Sequence, residues 1–176
     1  MTELAMADGY AVLTDPTTLR IERLLPGPAE RIWDYLTKSE LRRKWFAAGD
    51  MTLEAGAPLE LVWRNDELTN PPGARPADHS AENRMQSRIT HADPPHSLTF
   101  AWGSEGGNVT FALAPQGRDV LLTITHRKVA SRASALSFGP GWHAHLDVLS
   151  AILGGTAPEP FWDEVLRLRA DYAERL

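Results

Sequence analysis

Histidine is the side chain best suited to exchange protons near neutral pH. Three of the six histidines stand where a polar ring is out of place. His91 and His126 each end a run that otherwise alternates apolar residues. His145 lies about 60° off the apolar stripe of a helix. A ring that faces a core needs a hydrogen-bond partner or a wet cavity. His91, His126 and His145 are therefore candidates for a polar contact with a bound molecule, or for acid–base work on it. The plainer reading is an imidazole satisfied at a strand end or sheet rim. His143 lies about 100° off the stripe and is expected to face solvent. His143 and His145 diverge by about 200° on a helix, so they cannot share an ion. No HExxH motif occurs, and no metal is expected.

Large apolar residues share the inward side of the same runs. Trp63, Met85, Phe100 and Trp102 belong to three alternating segments, and Phe111 and Ile124 to two more. Trp142 and Leu146 begin the helical stripe. With the three histidines they form the candidate lining of a ligand site, since such pockets are mostly apolar with a few orienting polar groups. Each buried ring would also stabilise a filled core by ~1.5–3 kcal/mol, without any ligand.

Other chemistry is missing. There is no P-loop, GxGxxG or GxSxG motif, and no cofactor is expected. Gly103 to Gly107 is glycine-rich but joins two strands, so it reads as a turn. Glu22, Glu54 and Glu60 fall on outer or edge positions, with no carboxylate pair. Arg84 and Arg88 alternate on the polar side of their strand. Lys38, Arg42, Arg43 and Lys44 read as a solvated helix face.

The elements that position these residues follow from periodicity. Tyr10 to Leu13 and Leu19 to Leu24 read as strands at period two. Pro28 suits a first helical position, and Ala29, Ile32, Trp33 and Leu36 share one helix face to about Thr37. Thr37 and Glu40 have capping-box spacing for a second short helix through Phe46, with Gly49 as its stop. Alternation then predicts strands over 58–65, 84–91, 98–102, 109–113 and 120–126, joined by short turns as in an antiparallel meander. Residues 68–83, with Pro71, Pro72, Gly73 and Pro76, form a long loop. Gly139-Pro140-Gly141 opens a helix carrying Trp142, Leu146, Leu149 and Leu153. Gly154 and Gly155 break it, and Phe161, Val165, Leu168 and Tyr172 repeat the spacing, with Trp162 and Leu166 off the stripe.

The expected class is α+β, with helices on one face of a curved antiparallel sheet. The 176 residues make one domain, with residues 1–9 a flexible N-terminus. No cysteine is present, so disulfides and thiolate chemistry are excluded. A net charge of −5 argues against nucleic acid as a partner. No run approaches the ~20 apolar residues of a membrane span. No export signal is visible, so the cytoplasm is the expected compartment.

This arrangement resembles the START-like, or SRPBCC, superfamily with its helix-grip fold, and within it the branch named for activators of the Hsp90 ATPase. The resemblance rests on Arg23 to Trp33, Leu36-Thr37, Trp45-Phe46, Ile89 to Leu98 around Pro94-Pro95, Phe100, Trp102 and Gly141-Trp142. It implies a curved sheet wrapped around a long C-terminal helix, two short helices after the first strands, and a cavity for a small apolar molecule. Three functions follow as expectations. The first is a carrier or sensor of a hydrophobic or aromatic molecule. The second is a cyclase, dehydratase or isomerase, which requires His91, His126 and His145 to converge. The third is a chaperone-binding protein, ranked last because the chain has no second module to reach across a large ATPase. A homodimer is compatible with this class of domain, though the sequence does not specify one.

Overall fold

The computed structural model describes residues 8–103 and 106–176. The expectation of a flexible N-terminus, and the Ser104-Glu105 part of the expected turn, lie largely outside these residues. The chain runs β1 (Val12–Asp15), β2 (Thr18–Pro26), α1 (Ala29–Thr37), α2 (Ser39–Arg42), β3 (Pro58–Trp63), β4 (Asn83–Asp93), β5 (Ser97–Trp102), β6 (Gly107–Gln116), β7 (Asp119–Arg127), α3 (Arg132–Gly154) and α4 (Phe161–Arg175). A single turn of 3₁₀ helix, Asn65–Glu67, follows β3. This is the helix-grip α+β fold that the sequence leads one to expect.

The seven strands form one sheet in the order β1-β2-β7-β6-β5-β4-β3, with every neighbouring pair antiparallel. Strands β2, β6 and β7 alternate as written. Leu19, Ile21 and Leu25 of β2 are buried, as are Val120, Leu122 and Ile124 of β7 and Val109, Phe111 and Leu113 of β6. They meet Trp142, Leu146, Leu149 and Leu153 of α3, which are also buried. Removing these side chains from water is the main force holding helix to sheet.

The long helix starts earlier than its glycine–proline cluster suggests. Ser131 is its N-cap, and its Oγ accepts from the Ser134 amide at 3.2 Å. Pro140 therefore sits inside α3, not at its start. Gly155, at φ +74°, ends the helix where the stripe breaks. Pro158 and Pro160 precede α4, and Pro160 is its N-cap. The capping box at Thr37 does not form. The Thr37 hydroxyl donates back to the Trp33 carbonyl at 2.9 Å, and Lys38 takes the cap position of α2 without a side-chain bond.

Arg42 corrects the expected solvated face, because it is completely buried. Its Nε donates to the Ala47 carbonyl at 3.0 Å and Nη1 to the Thr37 carbonyl at 3.1 Å, while Nη2 bonds the Gly49 carbonyl. One guanidinium thus closes the ends of α1 and α2 and the chain that leads to β3. Burial lowers its pKa to about 10, so it remains charged, with Asp50 opposing the shift. Gly49, at φ +134°, is part of this closure, because a Cβ there would overlap the Glu60 carbonyl oxygen.

Candidate functional site

A pocket of about 200 Å³ opens at the end of the sheet–helix layer that carries the first half of α3. Trp63 ends β3, Trp102 ends β5, and Phe46 comes from the α2–β3 connection; all three line it. From α3 come Ser137, Phe138, Gly141, Trp142 and His145. Phe161, Trp162, Val165 and Arg169 of α4 close another side, with Asn65 and His79 from the β3–β4 connection and Asn83 at the start of β4.

Rings make most of the wall. Phe46 stacks on Trp142 with centroids 5.0 Å apart and meets Trp63 edge-on at 5.3 Å. Trp102 lies 5.7 Å from both Trp63 and Trp142. Such ring pairs contribute about 0.5–1.5 kcal/mol beyond burial and hold one another in place.

Of the residues singled out in the sequence, Trp63, Trp102, Trp142 and His145 line the pocket. Phe100, Phe111, Ile124 and Leu146 do not, because they pack against one another and the helix with at most 1% exposure. The middle of the sheet–helix layer is therefore filled by side chains, and the pocket lies at its end. Met85 pairs across the sheet with Leu61 and packs on the core, half-buried, outside the pocket.

The three histidines do not converge. His91 is exposed, contrary to its expected inward position. A register shift in β4 sets Ile89 opposite Phe100 but His91 opposite Thr99, two steps on one strand against one on the other. This bulge reverses the alternation and turns His91 outward, where its Nε2 lies 3.2 Å from the Ser97 hydroxyl. His126 is buried behind the wall. Its Nδ1 accepts the Trp142 indole N–H at 3.1 Å, and its ring stacks on Phe138 at 4.4 Å. It supports two lining side chains without lining the pocket itself.

His145 alone of the three reaches the pocket. Its Nδ1 lies 2.7 Å from the Trp45 carbonyl, which only accepts, so Nδ1 carries the proton. Nε2 is left with a lone pair and has no partner among the described residues. Burial lowers the pKa of His126 and of His145 to about 4, so both rings are neutral at physiological pH.

His143 is also buried, which corrects its expected exposure. Helix α4 covers that side of α3. The Tyr172 hydroxyl accepts the Ala11 amide at 2.7 Å and lies 2.8 Å from His143 Nδ1, in a hydrogen bond whose direction follows the His143 tautomer. His143 Nε2 lies 3.6 Å from an Asp147 carboxylate oxygen. Nearby, burial and a hydrogen bond to Asp147 raise the pKa of Glu164, a carboxylate pairing that strand and helix periodicity do not reveal. This cluster lies away from the pocket lining.

Sequence reasoning missed the α4 side and the loop side of the pocket. Trp162 looked misplaced off its stripe, yet it is 1% exposed. The loop covers it: the Trp162 amide donates to the Pro72 carbonyl at 2.9 Å, and its indole donates to Asp66 at 2.7 Å. The Phe161 amide bonds the Thr69 hydroxyl at 2.9 Å. His79 lies 5.0 Å from the Trp162 ring, and Arg169 bridges it to Asp78, whose carboxylate is 3.3 Å away. Nothing periodic marks His79, since a loop follows no repeat, and Asn83 is the first residue of β4, at the edge of its pattern. Among the described residues no group of three or more metal-ligating side chains occurs, and no helix is long and apolar enough to cross a membrane.

Comparison with known proteins agrees with this architecture. The solution structure of a protein from Bordetella parapertussis is similar at 36% identity and a TM-score of 0.81, covering 96% of this chain and 91% of that one. The crystal structure of CalU16 from Micromonospora echinospora matches at 22% identity and a TM-score of 0.65, over 90% of this chain and 84% of that one. DynU16, a protein of the dynemicin biosynthetic locus, matches at 16% and 0.64, over 83% of this chain and 51% of that one. No curated protein is a match for the chain. The model of the Activator of Hsp90 ATPase homolog 1-like protein family matches residues 26–154. With most of its length inside that match, the chain belongs to this family.

Proposed function

We propose that the protein binds a small hydrophobic or aromatic molecule in the pocket between α3, α4 and the end of the sheet, and acts as a carrier or sensor. The observation that carries this reading is an open, ring-lined space of about 200 Å³ between α3, α4 and the end of the sheet. Cavities of ~150 Å³ with apolar walls accept a benzene ring, so this one has room for one or two fused rings. The likeness to DynU16, from a biosynthetic locus, is consistent with a small-molecule ligand. An acid–base enzyme built on the convergence of His91, His126 and His145 has less support, because of these three only His145 lines the pocket.

Solvent extraction of the purified protein followed by mass spectrometry tests the proposal. A molecule recovered near one per chain, absent from a mock preparation and displaced by added naphthalene, is the expected result. Failure of both this recovery and any saturable naphthalene binding would overturn it.

A further inference from the structure

We propose that the ligand is a neutral aromatic molecule carrying a hydroxyl donor, a phenol or enol, whose O–H is given to Nε2 of His145. This rests on the pocket being a binding site and specifies what that site selects.

A carbonyl oxygen has no proton to give, so the 2.7 Å contact from the Trp45 carbonyl fixes the proton on Nδ1 of His145. Backbone geometry at the end of α2 thereby sets the character of the opposite nitrogen, which accepts and does not donate. The ring is held by two aromatic neighbours, Phe46 edge-on at 5.2 Å and Phe161 at 4.9 Å, so it does not turn to present the other atom. His145 is 6% exposed and lines the pocket. Burial also disfavours a second proton on the ring.

A second acceptor stands in the same wall. Asn65 Oδ1 is buried with no hydrogen-bond partner among the described residues. The cationic group nearest the opening, Arg169, is already engaged by Asp78 and His79. An anionic ligand would have to compete with Asp78 for Arg169, and would lose its hydration against a wall made mostly of rings. A donor-bearing neutral ring instead fills the apolar space and satisfies the unpaired nitrogen. A site built to hydrogen-bond a hydroxyl discriminates strongly against an analogue that lacks it, because a buried group is then left unpaired.

The test compares 2-naphthol, 2-methoxynaphthalene and 2-naphthoate by calorimetry at pH 7.5 with the whole chain. We expect 2-naphthol to bind at least tenfold more tightly than 2-methoxynaphthalene, and 2-naphthoate to bind weakest. In His145→Leu the first preference should collapse to less than threefold, with methoxynaphthalene binding retained. Should that variant not fold, nitrogen-15 NMR of the wild-type protein supplies the readout. The His145 Nε2 resonance should move from the unprotonated position on addition of naphthol, and stay in place with methoxynaphthalene. Equal affinity for naphthol and methoxynaphthalene, tightest binding by naphthoate, or an unmoved resonance would each overturn the donor assignment while leaving the binding site intact. Binding of none of the three would overturn the site together with it.

Discussion

Arg42 joins segments that hydrophobic burial alone does not hold. Its donors end on carbonyls at Thr37, Ala47 and Gly49, three points on a chain that reverses direction twice. Arg42→Met would keep the stem but leave those carbonyls without partners. We expect a loss of roughly 3 kcal/mol in urea denaturation. Arg42→Lys should recover little of it, since a compact ammonium does not reproduce a planar fork of donors. The histidines make a second residue-scale prediction. His126, His143 and His145 are each lowered by burial to about 4, from an ordinary 6.5. Below about pH 6.5 the unfolded chain takes up protons that the folded chain refuses. Stability is therefore full above that pH and falls toward pH 4, by up to about 1.4 kcal/mol per pH unit for each ring. Denaturation midpoints measured between pH 8 and 4.5 should decline steeply below 6.5. A flat profile would show that these rings are not held neutral.

At the scale of elements, the start of α3 and the cover over α4 are open to direct test. Ser131→Ala removes the acceptor for the Ser134 amide and should cost about 1 kcal/mol, read as a lowered thermal midpoint. Thr69 is the point where the β3–β4 connection holds the first residue of α4. Thr69→Val keeps the shape, removes the acceptor of the Phe161 amide, and should cost a similar ~1 kcal/mol, with faster hydrogen exchange at Phe161. These two elements also show where sequence reading succeeds and fails. The β-strands were legible because one face is buried, and period-two alternation records that burial directly. The long helix was legible from its stripe, but its first two turns were hidden by Pro140, which reads as a boundary although the Ser131 cap lies further back. His91 was misplaced because one extra residue in β4 inverts everything after it, and a bulge leaves no mark in apolar spacing. Arg42 was misread because its burial depends on carbonyls gathered from separate turns, not on its helical neighbours. His79 and Trp162 entered the site through a loop–helix contact that no local pattern encodes.

For the molecule as a whole, the sheet grips α3 tightly along most of its length and loosely at one end. Phe100, Phe111 and Leu146 fill the middle, while Trp63, Trp102 and Trp142 surround open space. Gly141 lies on that open side, and a Cβ added there meets nothing within 4 Å. Gly141→Leu should therefore plug the pocket without straining the fold, and leave the thermal midpoint unchanged or raised by removing a helical glycine. Calorimetric titration of naphthalene into wild-type protein and Gly141→Leu tests the hosting pocket most directly. A hosting pocket gives one saturable site in the wild type and at least a tenfold loss of affinity in the variant, which remains as stable. Equal binding by both proteins, or none by the wild type, would contradict it.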